Sequence, residues 1–248
     1  CYGYNRPTSP HIDAIAREGV RFDHYYCSSS PCLPSRTAWS SGRFGIRNGV
    51  CSNHTAGANY SMRLRHYGGP EPDNECLMRQ LRKHGLDTIS ISNFADRHNA
   101  LWFMRGWTEY HTPNLKGGYE TAEEVNEPVL RWLRQNAGRD DYLLHINYWD
   151  VHRVYKMDAS WADRLEGTPV EQAWPDEEAI RDHQAIEGPF TAQWQFPENE
   201  SPYPLMPGSV ESRADFEHMV TGYDASIAYV DHYIGLVLDE LDRQGALN

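Results

Sequence analysis

Ser30-Pro31-Cys32-Leu33-Pro34-Ser35-Arg36-Thr37-Ala38-Trp39-Ser40-Ser41-Gly42-Arg43 places a thiol beside a helix start. Pro34 suits the first helical turn, where its missing N–H needs no partner, and Gly42 suits the left-handed residue that ends a helix. The spacing therefore predicts a short helix that begins just after Cys32 and stops at Gly42. Cys32 then sits where unpaired N–H groups and the positive end of the helix dipole point. Arg36, one turn along, can fold back and add a full positive charge. The result is an anion-receiving corner with a reactive group in it. A lone cysteine is ordinarily a small buried hydrophobe; the flanking residues are what set this one apart.

The whole chain bounds the function classes. It has 248 residues, 40% of them hydrophobic, enough for one sizeable core. With 23 Lys and Arg against 35 Asp and Glu, the formal net charge is −12. No basic stripe stands out, so nucleic acid is not an expected partner. The apolar runs fall far short of the roughly 20 residues a membrane helix needs, so no membrane association is expected. Nothing at the start reads as a signal peptide, which slightly favours a cytoplasmic location over a periplasmic or secreted one. Five cysteines at scattered spacing, Cys1, Cys27, Cys32, Cys51 and Cys76, give neither a disulfide framework nor a zinc pattern. The oligomeric state is left open.

Outward from Cys32, local patterns predict strands alternating with helices. Ser9 as N-cap and Pro10 open a helix that Gly19 stops. Val20 to Tyr26 alternates as a strand leading into the Cys32 loop. Gly45 to Asp73 reads as a long polar loop. A helix over Glu75–His84 precedes a strand at Thr88–Ser92, and Asn93–His111 is aromatic and irregular. Glu120–Gln135 is helical with Pro128 as a kink or late start, and Tyr142–Trp149 is a strand ending in Asp150-Val151-His152-Arg153. Residues 156–210 read as a lid or insertion within a single domain spanning 1–248. Arg213–Arg243 is one long helix that Gly222 and Gly235 are expected to bend. Strand, loop and helix in alternation give an α/β fold with a mainly parallel sheet.

Cys-x-Pro-Ser-Arg followed by Gly42-Arg43 resembles the signature of the type I sulfatases. Three further blocks, Pro10 to Phe22, His145 to Arg153 and Tyr223 to Asp231, resemble segments of that family in the same order. The resemblance implies an alkaline-phosphatase-like α/β/α sandwich, here incomplete at both termini. It also implies that a maturation enzyme converts Cys32 to formylglycine, whose hydrated aldehyde attacks the sulfur of a sulfate ester. Arg36 would hold the hydrate and stabilise its charge, and His152 would contact the sulfate or protonate the leaving oxygen. Asp150 would orient His152 or stand as a solvated loop acid. Where the family carries a Lys and a His after the Ser90 strand, this chain has Arg97 and His98, which are candidate substrate contacts. Arginine is not an equivalent swap for lysine, since its planar fork keeps its proton.

The substrate expected from this resemblance is a sulfated small molecule or carbohydrate. The alternatives are a phosphonate monoester hydrolase or phosphodiesterase of the same superfamily, or a metal-free binding module. A thiol hydrolase is a minor further idea, because Pro34-Ser35-Arg36 has no role in a Cys-His arrangement. The family's Ca²⁺ is held by one acidic pair ahead of the segment that starts at Cys1 and another beyond Asn248. The chain therefore reads as a fragment, inactive alone, with Cys32 as formylglycine the one metal contact it retains. Ca²⁺ takes about six to eight oxygen ligands, so calorimetric titration of residues 1–248 with Ca²⁺ is expected to show no tight binding.

Overall fold

Every other residue of Thr88-Ile89-Ser90-Ile91 is β-branched and apolar, and all four are buried, so the strand they form is covered on both faces. That is the environment a parallel sheet requires. The computed structural model describes residues 3–53, 76–186 and 203–247. Its sheet has three parallel strands in the order β2–β1–β3, with β1 at Asp87–Ile91, β2 at Glu109–His111 and β3 at Tyr142–Ile146. The register sets Ser90 opposite both Tyr110 and His145. The chain divides into two compact units, one of residues 21–148 and 239–248, the other of residues 1–20 and 149–238.

The first of these holds the sheet. Its helices are α2 (Cys32–Ser41), α3 (Gly45–Asn48), α4 (Leu77–Lys83), α5 (Phe94–Arg97) and α6 (Ala122–Asn136). A 3₁₀ turn lies at Leu101–Met104. α6 starts in a reciprocal cap: Thr121 accepts from the Glu124 N–H while the Glu124 carboxylate accepts from the Thr121 N–H. Val125, Val129 and Leu133 recur at helical spacing and are buried. The helix runs through Pro128 without ending there. Glu240 is buried on this unit and accepts from Arg243 and from Gln244 at 2.9 Å, with the Arg134 guanidinium of α6 at 3.5 Å.

Three expectations fail in this part of the chain. Val20–Tyr26 is not a strand: its backbone is irregular, and Val20, Phe22, Tyr25 and Tyr26 are 79%, 68%, 83% and 81% exposed. Alternation becomes a strand only when a neighbouring strand takes its hydrogen bonds, and no described strand pairs with this segment. Conversely, β2 lies inside the stretch read as irregular, being only three residues long. The first residues of the predicted 45–73 loop form α3, and 54–73 fall outside the described residues.

The other unit contains α1 (Pro10–Glu18), α7 (Ser160–Asp163), α8 (Glu177–Gln184) and the part of α9 (Arg213–Arg243) up to Leu238. The 156–210 stretch is thus partly helical, with residues 187–202 outside the described set. Ser9 precedes α1 but makes no capping bond. Asp231 of α9 does that work, accepting from the N–H of His11 at 3.0 Å and of Ile12 at 2.9 Å, and from His11 Nδ1 at 2.7 Å. A buried carboxylate reaching two N–H groups at a helix N-terminus is better placed than a serine hydroxyl. Nearby, Asp224 takes a buried ion pair from Arg6 at 2.8 Å and a hydrogen bond from Tyr4 at 2.8 Å.

Gly222 and Gly235, read as possible bends, have a different reason to be glycine. α9 is continuous through both. A Cβ on Gly222 would lie 1.8 Å from the Leu205 carbonyl oxygen, and one on Gly235 would lie 2.6 Å from the His11 ring. Glycine lets neighbouring groups rest directly on the helix backbone. Gly→Ala in an open helix normally gains about 1 kcal/mol. At Gly222 the sign should reverse to a loss of about 1–3 kcal/mol, because a backbone carbonyl has to move. Denaturant unfolding of Gly222→Ala measures it.

Candidate active site

α2 positions Cys32. Leu33, Thr37 and Ala38 are buried on one face of this helix, which Gly42 ends at φ 66° with its N–H on the Ala38 carbonyl. Cys32 is the first helical residue and Pro34 the third, so the thiol lies inside the first turn and not ahead of it. The first-turn amides are not all open either, since the Leu33 N–H donates to Asn53 Oδ1 at 2.8 Å. The remaining cysteines among the described residues, Cys27, Cys51 and Cys76, are free thiols, as is Cys32.

Arg36 lies one turn along and half-buried. Its Nη2 donates to Asn147 Oδ1 at 2.8 Å, and its guanidinium carbon lies 5.6 Å from the centre of the Phe94 ring. Burial lowers its pKa, while the Cys32 thiol and the Tyr110 phenol, both within electrostatic reach, oppose that shift. Arg36 is thus held by Asn147, with the Cys32 thiol within its electrostatic reach. Asn147 is the first residue past β3, and its N–H donates to the last carbonyl of β1, Ile91, at 3.1 Å. Arg36 is thus moored at the carboxyl edge of the sheet, where α/β folds place their ligand sites.

Three residues missing from the sequence reading complete this corner. His145 on β3 shares a 3.0 Å hydrogen bond between Nδ1 and Ser90 Oγ, and its ring lies 5.5 Å from those of Trp107 and Trp39. Burial, with the positive charge of Arg36 adding to it, lowers its pKa to about 4. Tyr110 on β2 is pushed above its ordinary pKa, mainly by burial. Asn147 is the third. The parallel register through Ser90 brings His145 and Tyr110 together, and Asn147, read as part of a strand running to Trp149, lies instead just past the end of β3 at Ile146.

Arg97 and His98 sit at the end of α5 in the same unit. Arg97 Nη1 donates to the Gly117 carbonyl at 3.1 Å, and its guanidinium lies over the Tyr119 ring at 5.5 Å. The Arg97 side chain also fills the space that a Cβ on Gly118 would need. The His98 ring packs on Phe94 with centres 4.9 Å apart, so Phe94 lies between His98 and Arg36 as a shared neighbour.

Asp150 and His152 belong to the other unit. Asp150 is buried and His152 exposed. His152 Nδ1 lies 2.7 Å from the Arg153 carbonyl oxygen. A carbonyl only accepts, so Nδ1 carries the hydrogen and Nε2 is the nitrogen left for chemistry. The group that orients this ring through Nδ1 is therefore the Arg153 carbonyl.

The sulfatase family model matches residues 1–248. The chain belongs to the sulfatase family. Its α/β character, with helices around a parallel sheet, is that of the alkaline-phosphatase-like superfamily in which sulfatases fall. It is similar to mouse steryl-sulfatase, 30% identical over 138 residues, which are 56% of this chain and 21% of that protein. It is also similar to human N-acetylgalactosamine-6-sulfatase, 28% identical over 165 residues, 64% of this chain and 32% of the relative. The rat N-acetylgalactosamine-6-sulfatase aligns over 252 residues at 22% identity, 98% of this chain and 44% of the relative. This sulfatase-family chain spans less than half the length of each of them. No helix of the described residues is long and apolar enough to cross a membrane.

The family's Ca²⁺ was tested against the donors present. Among the described residues no three His, Cys, Asp or Glu side chains converge as a cation site requires. The groups that meet Arg36 are the Asn147 amide, the Cys32 thiol and the Tyr110 phenol, none of them a carboxylate. The described donors do not compose a Ca²⁺ site.

The acid behaviour of His145 is open to measurement. Its unfolded form binds a proton near pH 6.5 and its folded form only near 4, so the unfolded state holds more protons between these values. Stability should fall as pH drops from about 6.5 to about 4 and be indifferent to His145 above that window. By NMR the His145 ring should stay neutral from pH 8 to pH 5. Arg36→Ala should raise its pKa by removing the neighbouring charge.

Proposed function

We propose that the protein of which this chain is part hydrolyses sulfate esters, with Cys32 matured to formylglycine as the nucleophilic residue. The observation that carries the reading is the Arg36–Asn147 bond, which fixes a cation within reach of Cys32 at the carboxyl edge of the sheet. Family membership and sulfatase-named relatives support it. Formylglycine, once formed by a maturation enzyme and hydrated, supplies a hydroxyl nucleophile for the ester's sulfur.

The remaining chemistry is that of side chains. Arg36 stabilises negative charge gathering at the nucleophile and sulfate, and being held in advance it does so without reorganising. Asn147 keeps the guanidinium aimed and Phe94 shields one face of it. His145 stays neutral beside Arg36 and leaves the corner's net charge positive for an anionic substrate. His152 donates a proton from Nε2 to the leaving alcohol oxygen when it enters as imidazolium, its Nδ1–H remaining on the Arg153 carbonyl. Arg97 and His98 contact the substrate from the end of α5, and Asp150 supports the His152 turn. The substrate is a sulfated small molecule or carbohydrate.

The test pairs chemistry with mass. In the full-length protein co-produced with a maturation enzyme, the tryptic peptide Phe22–Arg36 should lose about 18 Da, with fragment ions placing the loss at Cys32 and not at Cys27. The same preparation should release sulfate from an aryl sulfate. Arg36→Ala should lower kcat by about 10²–10³-fold, and Arg36→Lys should not restore it, since an ammonium lacks the planar fork. Full conversion of Cys32 with no sulfate release would remove the proposal.

A further inference from the structure

A second anion-attracting feature lies at the other edge of the sheet. α4 carries Arg79, Arg82 and Lys83 at spacings of three and four, so all three share one helix face. Arg105 joins them from the segment after the 3₁₀ turn. Together with Cys76 and Gly106 they line a cleft of about 700 Å³. Gly106 makes this possible: at φ 85°, a Cβ there would lie 3.2 Å from Cys76 Sγ and 3.3 Å from the Arg79 nitrogen. The backbone of the Arg105 segment therefore rests directly on the start of α4, and the Cys76 thiol reaches the Arg105 carbonyl at 3.8 Å.

Four cations in one cleft stand against a chain of net charge −12. Arg82 and Lys83 lie in the last turn of α4, where the helix dipole welcomes positive charge. That accounts for neither Arg79, a turn earlier, nor Arg105, from another segment. Arg79, Arg82 and Lys83 take part in no ion pair among the described residues, although acidic partners are recruited elsewhere: Arg139 by Asp87, Lys116 by Glu124. The like charges of Arg79, Arg82 and Lys83 on one short helix repel one another, and a bound polyanion relieves that cost.

The cleft is separate from the Cys32 corner. α4 leads directly into β1, and the Gly106 carbonyl lies 3.4 Å from Thr88 Oγ1, which places the cleft beside the amino end of β1. Arg36 and Asn147 are at the carboxyl end. Ser40, whose Oγ lies 3.4 Å from the Cys76 thiol, is eight residues along α2 from Cys32, about 12 Å of helix.

We propose that this cleft is a second binding site that holds sulfate groups of a sulfated polysaccharide which are not the ones being hydrolysed. The choice of polysaccharide rests on the sulfate-ester reading above; the anion site itself does not. A nucleic acid fits less well, because among the described residues no aromatic side chain lines the cleft for a base to stack on and the remainder of the chain is acidic. A polymer with several sulfates gains affinity from being held at two places, whereas a small monosulfate cannot use the second.

Fluorescence anisotropy of the full-length protein with labelled dextran sulfate tests this, with unsulfated dextran and a thymidine oligonucleotide of matched charge as the other arms. Dextran sulfate should bind, with affinity falling as salt rises; dextran should not bind, and the oligonucleotide should bind more weakly. Arg79→Gln/Arg82→Gln/Lys83→Gln should weaken dextran sulfate at least about tenfold and reduce the salt slope by about 2. Turnover of a small aryl sulfate should be unchanged in that variant. The Arg82→Gln/Lys83→Gln pair, both exposed, gives the same direction with the half-buried Arg79 intact. Unchanged dextran sulfate affinity in both variants, or tighter binding of the oligonucleotide, overturns the proposal. Binding that depends on these residues in a protein that releases no sulfate sustains the cleft and removes the reaction.

Discussion

The site depends on one hydrogen bond between elements far apart in sequence, that of Arg36 on α2 to Asn147 past β3. A free arginine side chain loses much rotamer freedom when ordered, and a half-buried guanidinium pays a desolvation cost as well. The amide of Asn147 meets both demands at once. It is itself fixed, because its N–H is on the Ile91 carbonyl and its Nδ2 on the Tyr148 carbonyl at 3.2 Å. The order of dependence therefore runs from the β1–β3 pairing to Asn147, from Asn147 to Arg36, and from Arg36 to the electrostatic setting of Cys32.

The same arrangement explains why the core behind the site is aromatic and polar together. Trp39, Phe103 and Trp107 pack their rings against His145, and Phe94 packs against both Phe103 and the Arg36 guanidinium. Burial, with the field of the guanidinium added to it, suppresses protonation of His145. A cation held next to a histidine that resists becoming a second cation keeps the corner at a single positive charge over the neutral range.

Much of this was legible in the chain. The limits of α9 agree with its apolar spacing, β1 is displaced by one residue, and α2 has the left-handed stop at Gly42 that its residues imply but starts at Cys32 itself, not just after it. What escaped shares a cause. Val20–Tyr26 has a strand's alternation but no partner strand, β2 has too few residues to show a period, and the cap of α1 comes from a residue in α9. Asn147 carries no motif of its own. Each depends on a contact that only the folded chain provides, whereas the features read correctly depend on neighbours within a few positions. Gly222 and Gly235 show the same divide from another side: a flexible residue in a helix suggests a bend locally, and a close contact decides otherwise.

The reach of Asp231 to the amides of His11 and Ile12 has a consequence for synthesis. The cap and its helix are separated by about 220 positions. At a translation rate of about 5–20 residues per second, roughly 10–45 s pass between the emergence of α1 and that of the carboxylate which completes it. α1 is nine residues long, too short to persist alone in water. α1 must therefore wait, uncommitted, for α9, so the unit they share closes later than the pairing of β1, β2 and β3, whose strands all lie between Asp87 and Ile146.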